Sequence, residues 1–119
     1  GFHSIVDAIL GGLCLGDLGN HFPPTDNKWK NKKSIFFMTY VKKLLKNEKF
    51  KVNNLDVTLI CEKPKVSQYQ KRFIESVAEA LDIDCRKINI KGTTTEKLGF
   101  LGREEGIACQ VSVTLSKND

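Results

Sequence analysis

Apolar residues at Phe2, Ile5, Val6, Ile9, Leu10 and Leu13 recur at helical spacing, so the chain is expected to open on a buried helix. Leu15-Gly16, followed by Asp17-Leu18-Gly19, would end it. Residues 20 to 33 contain Pro23, Pro24 and several Asn and Lys, which predicts an exposed loop with little regular structure. Ser34 is expected to cap a second helix, Ile35 to about Lys46, with Ile35, Met38, Val41, Leu44 and Leu45 inward and Lys42, Lys43 and Lys46 outward. The period then changes from helical to two. Leu55, Val57 and Leu59 alternate with Asp56 and Thr58 as in a strand, which Pro64 closes. A third helix is expected from about Ser67 to Leu81, its stripe of Tyr69, Phe73, Val77 and Leu81 turned away from Lys71, Arg72, Glu75 and Glu79. Ile88 and Ile90 mark a short strand, and Ile107, Cys109, Val111, Val113 and Leu115 give the clearest alternation in the chain. The order is helix, helix, strand, helix, strand, strand.

Composition narrows the picture. A length of 119 residues suits one domain with a modest core. The formal charge of +5 has much of its excess in residues 28 to 51, which reads as a solvated basic surface able to steer an anionic substrate. A nucleic-acid-binding module is disfavoured, because the aromatic interleaving used for base stacking is missing. The four cysteines, Cys14, Cys61, Cys85 and Cys109, lie far apart with no C-x-x-C, so the expectation is unpaired core thiols in a reducing compartment and not a zinc ribbon. No apolar run approaches a membrane span and no signal-peptide pattern is present, so a soluble domain without a membrane partner is expected.

The densest chemistry lies in residues 93 to 108. Thr93, Thr94 and Thr95 offer hydroxyls and backbone N–H groups to anionic oxygens, Glu96 can bind a hard divalent cation, and Gly99, Gly102 and Gly106 let the backbone bend closely around a ligand. A plainer reading stands beside it: Thr93-x-x-Glu96 also fits a helix capping box, and glycine-rich loops before strands are common. His3 and Asp7, four apart on the first helix, share a face, yet one histidine cannot make a zinc site and a capping role is open. His21 reads as an ordinary loop histidine.

Residues 15–26 and 56–65, followed in order by Thr93-Thr94-Thr95-Glu96-Lys97-Leu98-Gly99-Phe100 with Gly102-Arg103, resemble the 2-C-methyl-D-erythritol 2,4-cyclodiphosphate synthases. The resemblance runs from His3 to about Leu115. It implies an α+β fold, a mixed sheet with helices packed on one face, assembling as a homotrimer with active sites between neighbours. That family begins with strands carrying Asp-x-His and His-Ser segments. No Asp-x-His occurs, the His3-Ser4 pair falls within the first expected helix and not on a strand ahead of it, and the chain opens on Gly1, so residues 1–119 are expected to form a single domain lacking its N-terminal strands.

The resemblance also distributes roles. His3 falls at the third ligand of a Zn²⁺ or similar transition metal, with Asp7 a turn away. Asp17, Leu18 and Gly19 match the segment that holds the methylerythritol hydroxyls, while Phe22 and Asp26 match the ends of the next substrate loop, in which Pro24 replaces an aspartate. Cys61, Pro64, Lys65, Val66 and Ser67 lie in the segment that holds cytosine through backbone groups and phosphate through its lysine; only Pro64 and Lys65 match by identity. Thr94, with Thr93 and Thr95, would position the phosphates, and Glu96 would bind Mg²⁺ or Mn²⁺. Phe100 and Arg103 match residues lining a central cavity for isoprenoid diphosphates; a core aromatic and a surface arginine paired with Glu104 or Glu105 are the alternatives. The implied reaction converts 4-diphosphocytidyl-2-C-methyl-D-erythritol 2-phosphate into the 2,4-cyclodiphosphate and CMP, in a plastid (apicoplast or chloroplast) or the bacterial cytoplasm. The competing class is a non-catalytic trimer that binds nucleotides or isoprenoid diphosphates.

Overall fold

The computed structural model describes residues 2–23, 25, 28, 32–60, 70–93 and 108–118. Helices α1 (Phe2–Gly12), α2 (Leu18–His21) and α3 (Ser34–Asn47) precede strand β1 (Phe50–Ile60); α4 (Gln70–Leu81), a 3-10 turn (Cys85–Lys87), β2 (Ile88–Thr93) and β3 (Ala108–Lys117) follow. The sheet order is β2-β1-β3, with β1 parallel to β2 and antiparallel to β3. This is the mixed sheet of an α+β fold.

Alternation decides which face the helices cover. Leu55 pairs with Ile88 and Val113, and Val57 with Ile90 and Val111, so these residues share one face. There Leu55, Val57, Ile88 and Ile90 are buried with Ile5, Val6, Ile9 and Leu10 of α1, Met38 and Val41 of α3, and Val77 and Leu81 of α4. The other face carries Asp56, Thr58, Asn89, Lys91, Gln110, Ser112 and Thr114. Each fully buried aliphatic side chain contributes roughly 1.5–3 kcal/mol through lost water contact, so one-sided covering is what the pattern favours.

Several expectations need correction. β1 begins at Phe50, ahead of the alternation seen from Leu55, and that earlier part was hidden by an interruption: the register shifts between Val52 and Asn54, and the extra residue at this bulge stretches the spacing of buried positions from Val52 to Leu55. Ser34 is the first residue of α3 and not its cap; Lys33 holds that position with no side-chain bond. Ile35 points outward at 53% exposure, while Phe37 is buried. α1 stops at Cys14 (φ 59), before the expected glycines: Cys14 N–H donates to the Gly11 carbonyl and Leu15 N–H to that of Leu10, the bond pair of a left-handed helix end. Cys14 and Cys85 are exposed and so are not the core residues expected, Cys109 is half-buried against the core, and Cys61 lies outside the described residues. Tyr69 and Ile107 also lie outside them. Among the described residues no helix is long and apolar enough to cross a membrane.

Candidate functional site

Where a helix stop at Leu15 to Gly19 and then a loop were expected, the chain builds a small ordered turn. Gly16 (φ +90) reverses the backbone, and a Cβ there would meet Asn20 Oδ1 at 2.7 Å. Asp17 starts a helix, where the sequence had suggested that it stops one. Its Oδ1 accepts the Asn20 N–H at 2.8 Å, and Asn20 Oδ1 accepts the Asp17 N–H at 3.1 Å, a reciprocal capping box. The result presents Asp17 and Gly19 exposed and Leu18 half-buried.

α1 anchors this turn. Asp7 Oδ1 accepts the Leu18 N–H at 2.6 Å, a charge-assisted bond between residues 11 apart. Asp7 therefore fixes the backbone of the Asp17-Leu18-Gly19 segment, a role with no sequence signal. His3, one turn earlier on α1, is exposed and meets Phe37 edge-on, ring centroids 5.4 Å apart. The structure thus brings His3, Asp7, Asp17, Leu18 and Gly19 to one neighbourhood of the helical layer.

Aromatic packing supports it from beneath. Phe22 is 8% exposed, with ring centroids 5.0 Å from Phe37 and 4.7 Å from Tyr40. Its ring is a core element, which leaves mainly the backbone to face a ligand. His21 is half-buried and doubly bonded: Nδ1 lies 2.7 Å from the Tyr40 hydroxyl and Nε2 lies 2.7 Å from the Leu15 carbonyl. It is not the ordinary loop histidine expected.

A second candidate position lies at the sheet. Ile60, the last residue of β1, pairs with Thr93, the last of β2, and with Ala108, the first of β3. The segments after Ile60 and Thr93 therefore leave from neighbouring carboxyl ends of parallel strands, the position where α/β sheets commonly bind ligands. Thr93 is exposed there. Asp26, Cys61, Pro64, Lys65, Val66, Ser67, Thr94, Thr95, Glu96, Phe100 and Arg103 lie outside the described residues.

Imidazole is a good transition-metal ligand, and the exposed ring of His3 fits that chemistry. Among the described residues no group of three His, Cys, Asp or Glu side chains converges, and one imidazole alone does not make a metal site. A groove of about 630 Å³ lies elsewhere, between the starts of α1 and α3 and the second half of α4; Lys33, Ile35, Thr39, Lys42 and Glu79 line it, and none of the described candidate residues does.

The sequence profile of the YgbB family matches residues 1–116. The chain is 50% identical over 109 residues to a 2-C-methyl-D-erythritol 2,4-cyclodiphosphate synthase of Francisella tularensis subsp. novicida, covering 92% of this chain and 69% of that protein. It is 48% identical over 116 residues to the bifunctional enzyme IspD/IspF of Wolbachia pipientis wMel, covering 98% of this chain and 29% of the enzyme. The chain therefore spans less than a third of the bifunctional relative's length. Among solved structures, the Plasmodium falciparum IspF in complex with CDP superposes with a TM-score of 0.89 at 36% identity, over 99% of this chain and 70% of that one.

Proposed function

Because this chain belongs to the YgbB family, we propose that it cyclises 4-diphosphocytidyl-2-C-methyl-D-erythritol 2-phosphate to 2-C-methyl-D-erythritol 2,4-cyclodiphosphate with release of CMP, a step of isoprenoid precursor synthesis. The observation that carries the reading is 50% identity across 92% of the chain to a relative named for that product. The meeting of β1 and β2 at Ile60 and Thr93 supports it, since a nucleotide suits the ends of parallel strands; the CDP bound by the Plasmodium falciparum relative points the same way.

The substrate carries both reactants. Its 2-phosphate attacks the β-phosphorus of the diphosphate, the bond from that phosphorus to the oxygen of CMP breaks, and CMP leaves. Since the nucleophile is already anionic, the chain has only to align the two phosphates and balance their charge. Asp17, with Leu18 and Gly19 held by Asp7, would bind the methylerythritol hydroxyls. Backbone groups between Cys61 and Ser67 would hold cytosine, Lys65 a phosphate, and Thr93, Thr94 and Thr95 would orient the diphosphate. His3 would contribute to a Zn²⁺-type site and Glu96 to a Mg²⁺ or Mn²⁺ site. Metal at those positions would supply positive charge to the phosphates.

The described site residues stand on different layers, Asp17 and Gly19 among the helices and Thr93 at a strand end, which suits a homotrimer whose active sites form between neighbours. Bacterial cytosol or a plastid is the setting such a pathway step would have. The test is CMP release by the purified protein. Glu96→Gln should lower turnover about a hundredfold or more while the oligomer still forms; full turnover by that variant at saturating Mg²⁺ would remove Glu96 from the mechanism, and none from wild type would sink the reading.

A further inference from the structure

We propose that His21, held by Tyr40, is a positioning residue for the turn that carries Asp17, Leu18 and Gly19; the proposal rests on the reading above, in which that turn meets the substrate. The bond pattern fixes the tautomer. A carbonyl only accepts, so the 2.7 Å contact to the Leu15 oxygen requires the proton on Nε2. Nδ1 of the neutral ring is then an acceptor, and the Tyr40 hydroxyl, 2.7 Å away, donates to it. Tyr40 thus sets the tautomer that the Leu15 bond needs.

Position turns this pair into a clasp. Leu15 and His21 stand at the two ends of the segment that displays Asp17, Leu18 and Gly19, and one imidazole joins them. The interior of the segment is closed by the bonds between Asp17 and Asn20, and α1 grips its middle through Asp7. The tie to α3 comes through Tyr40, whose ring meets His21 at 5.5 Å and Phe22 at 4.7 Å between centroids. Helices α1 and α3 therefore fix the turn from two sides, and His21 transmits the second grip.

Three variants separate positioning from simple packing. A glutamine places its amide nitrogen near the site of Nε2 and can still donate to Leu15, whereas an asparagine reaches only the site of Nδ1. In steady-state CMP release, His21→Asn should raise KM about fivefold with kcat nearly unchanged, the effect of one lost hydrogen bond on ground and transition states alike. His21→Gln should restore KM to within about twofold of wild type, and Tyr40→Phe should fall between them. CDP affinity should not change in any variant. Equal KM for His21→Asn, His21→Gln and wild type overturns the proposal; if His21→Asn does not fold, an unchanged KM in Tyr40→Phe does so. Nitrogen NMR of the wild-type ring decides independently of turnover: the Nε2–H tautomer is expected, and the Nδ1–H tautomer overturns the clasp even if the protein proves to be no cyclase.

Discussion

Asp56 shows how one side chain ties two strands together across the polar face. Its Oδ2 accepts from Lys91 Nζ at 2.8 Å and its Oδ1 from Asn89 Nδ2 at 3.0 Å, both on β2. The bond from Lys91, then that from Asn89, hold the carboxyl below its ordinary range against partial desolvation. The folded state gives up this proton more readily than the unfolded one, so the stabilisation is full above the unfolded carboxylate value and fades as pH falls through the folded one. Asp84, lowered to about 2 first by the side chain of Arg86, acts in the same direction and provides a background common to wild type and an Asp56→Asn variant. Wild type should lose melting temperature more steeply than Asp56→Asn between about pH 5 and pH 3. About 1 M salt should narrow the gap, because Lys91 is exposed. Parallel melting curves across that range would remove Asp56 as a contributor.

At the scale of elements, the three long helices end alike: Cys14 (φ 59), Lys49 (φ 60) and Asp82 (φ 55) each take the left-handed position that glycine usually fills. After α4, Asp82 N–H donates to the Glu79 carbonyl and Ile83 N–H to that of Ala78, repeating the pattern at Cys14. An L-residue there costs about 1 kcal/mol of backbone strain, partly offset by the smaller entropy it loses on folding. Glycine at any one of the three should therefore raise stability by about 0.5 kcal/mol, measured by urea denaturation. A loss at all three would show that the side chains stabilise these ends by contacts of their own. The ends of α3 near Lys46 and of α4 at Leu81 could be read from the period, whereas the left-handed residues beyond them could not, because the usual mark of that position is glycine and here it is lacking. α4 and β3 were legible because period and burial agree over many residues. β1 was only half legible, since the bulge near Asn53 breaks its alternation. α2 has four residues and no apolar stripe, so only its capping pair of Asp17 and Asn20 could have revealed it. The site divides likewise. Motif residues such as His3 and Asp17 could be named from the sequence, whereas the Asp7 bond to Leu18 and the contacts of His21 join residues that only the fold brings together.

For the whole molecule, the central place of β1 has a thermodynamic consequence. Its amides lie between two ladders, one to β2 and one to β3, and its buried side chains are shared by α1, α3 and α4. No local opening can release such a strand, so amide exchange in residues 55–60 should be the slowest in the domain and should report global unfolding. A ligand that binds only the folded protein lowers the unfolded population by a factor set by the ratio of its free concentration to its dissociation constant, whichever residues it touches. CDP at about a hundred times its dissociation constant should thus slow exchange about a hundredfold along the whole of this stretch. Slowing confined to Ile60 and Thr93, or β1 amides that exchange as fast as those of β3, would show that the strand opens on its own. Otherwise the interior of β1 serves as a gauge of occupancy at a site placed by the strand's end.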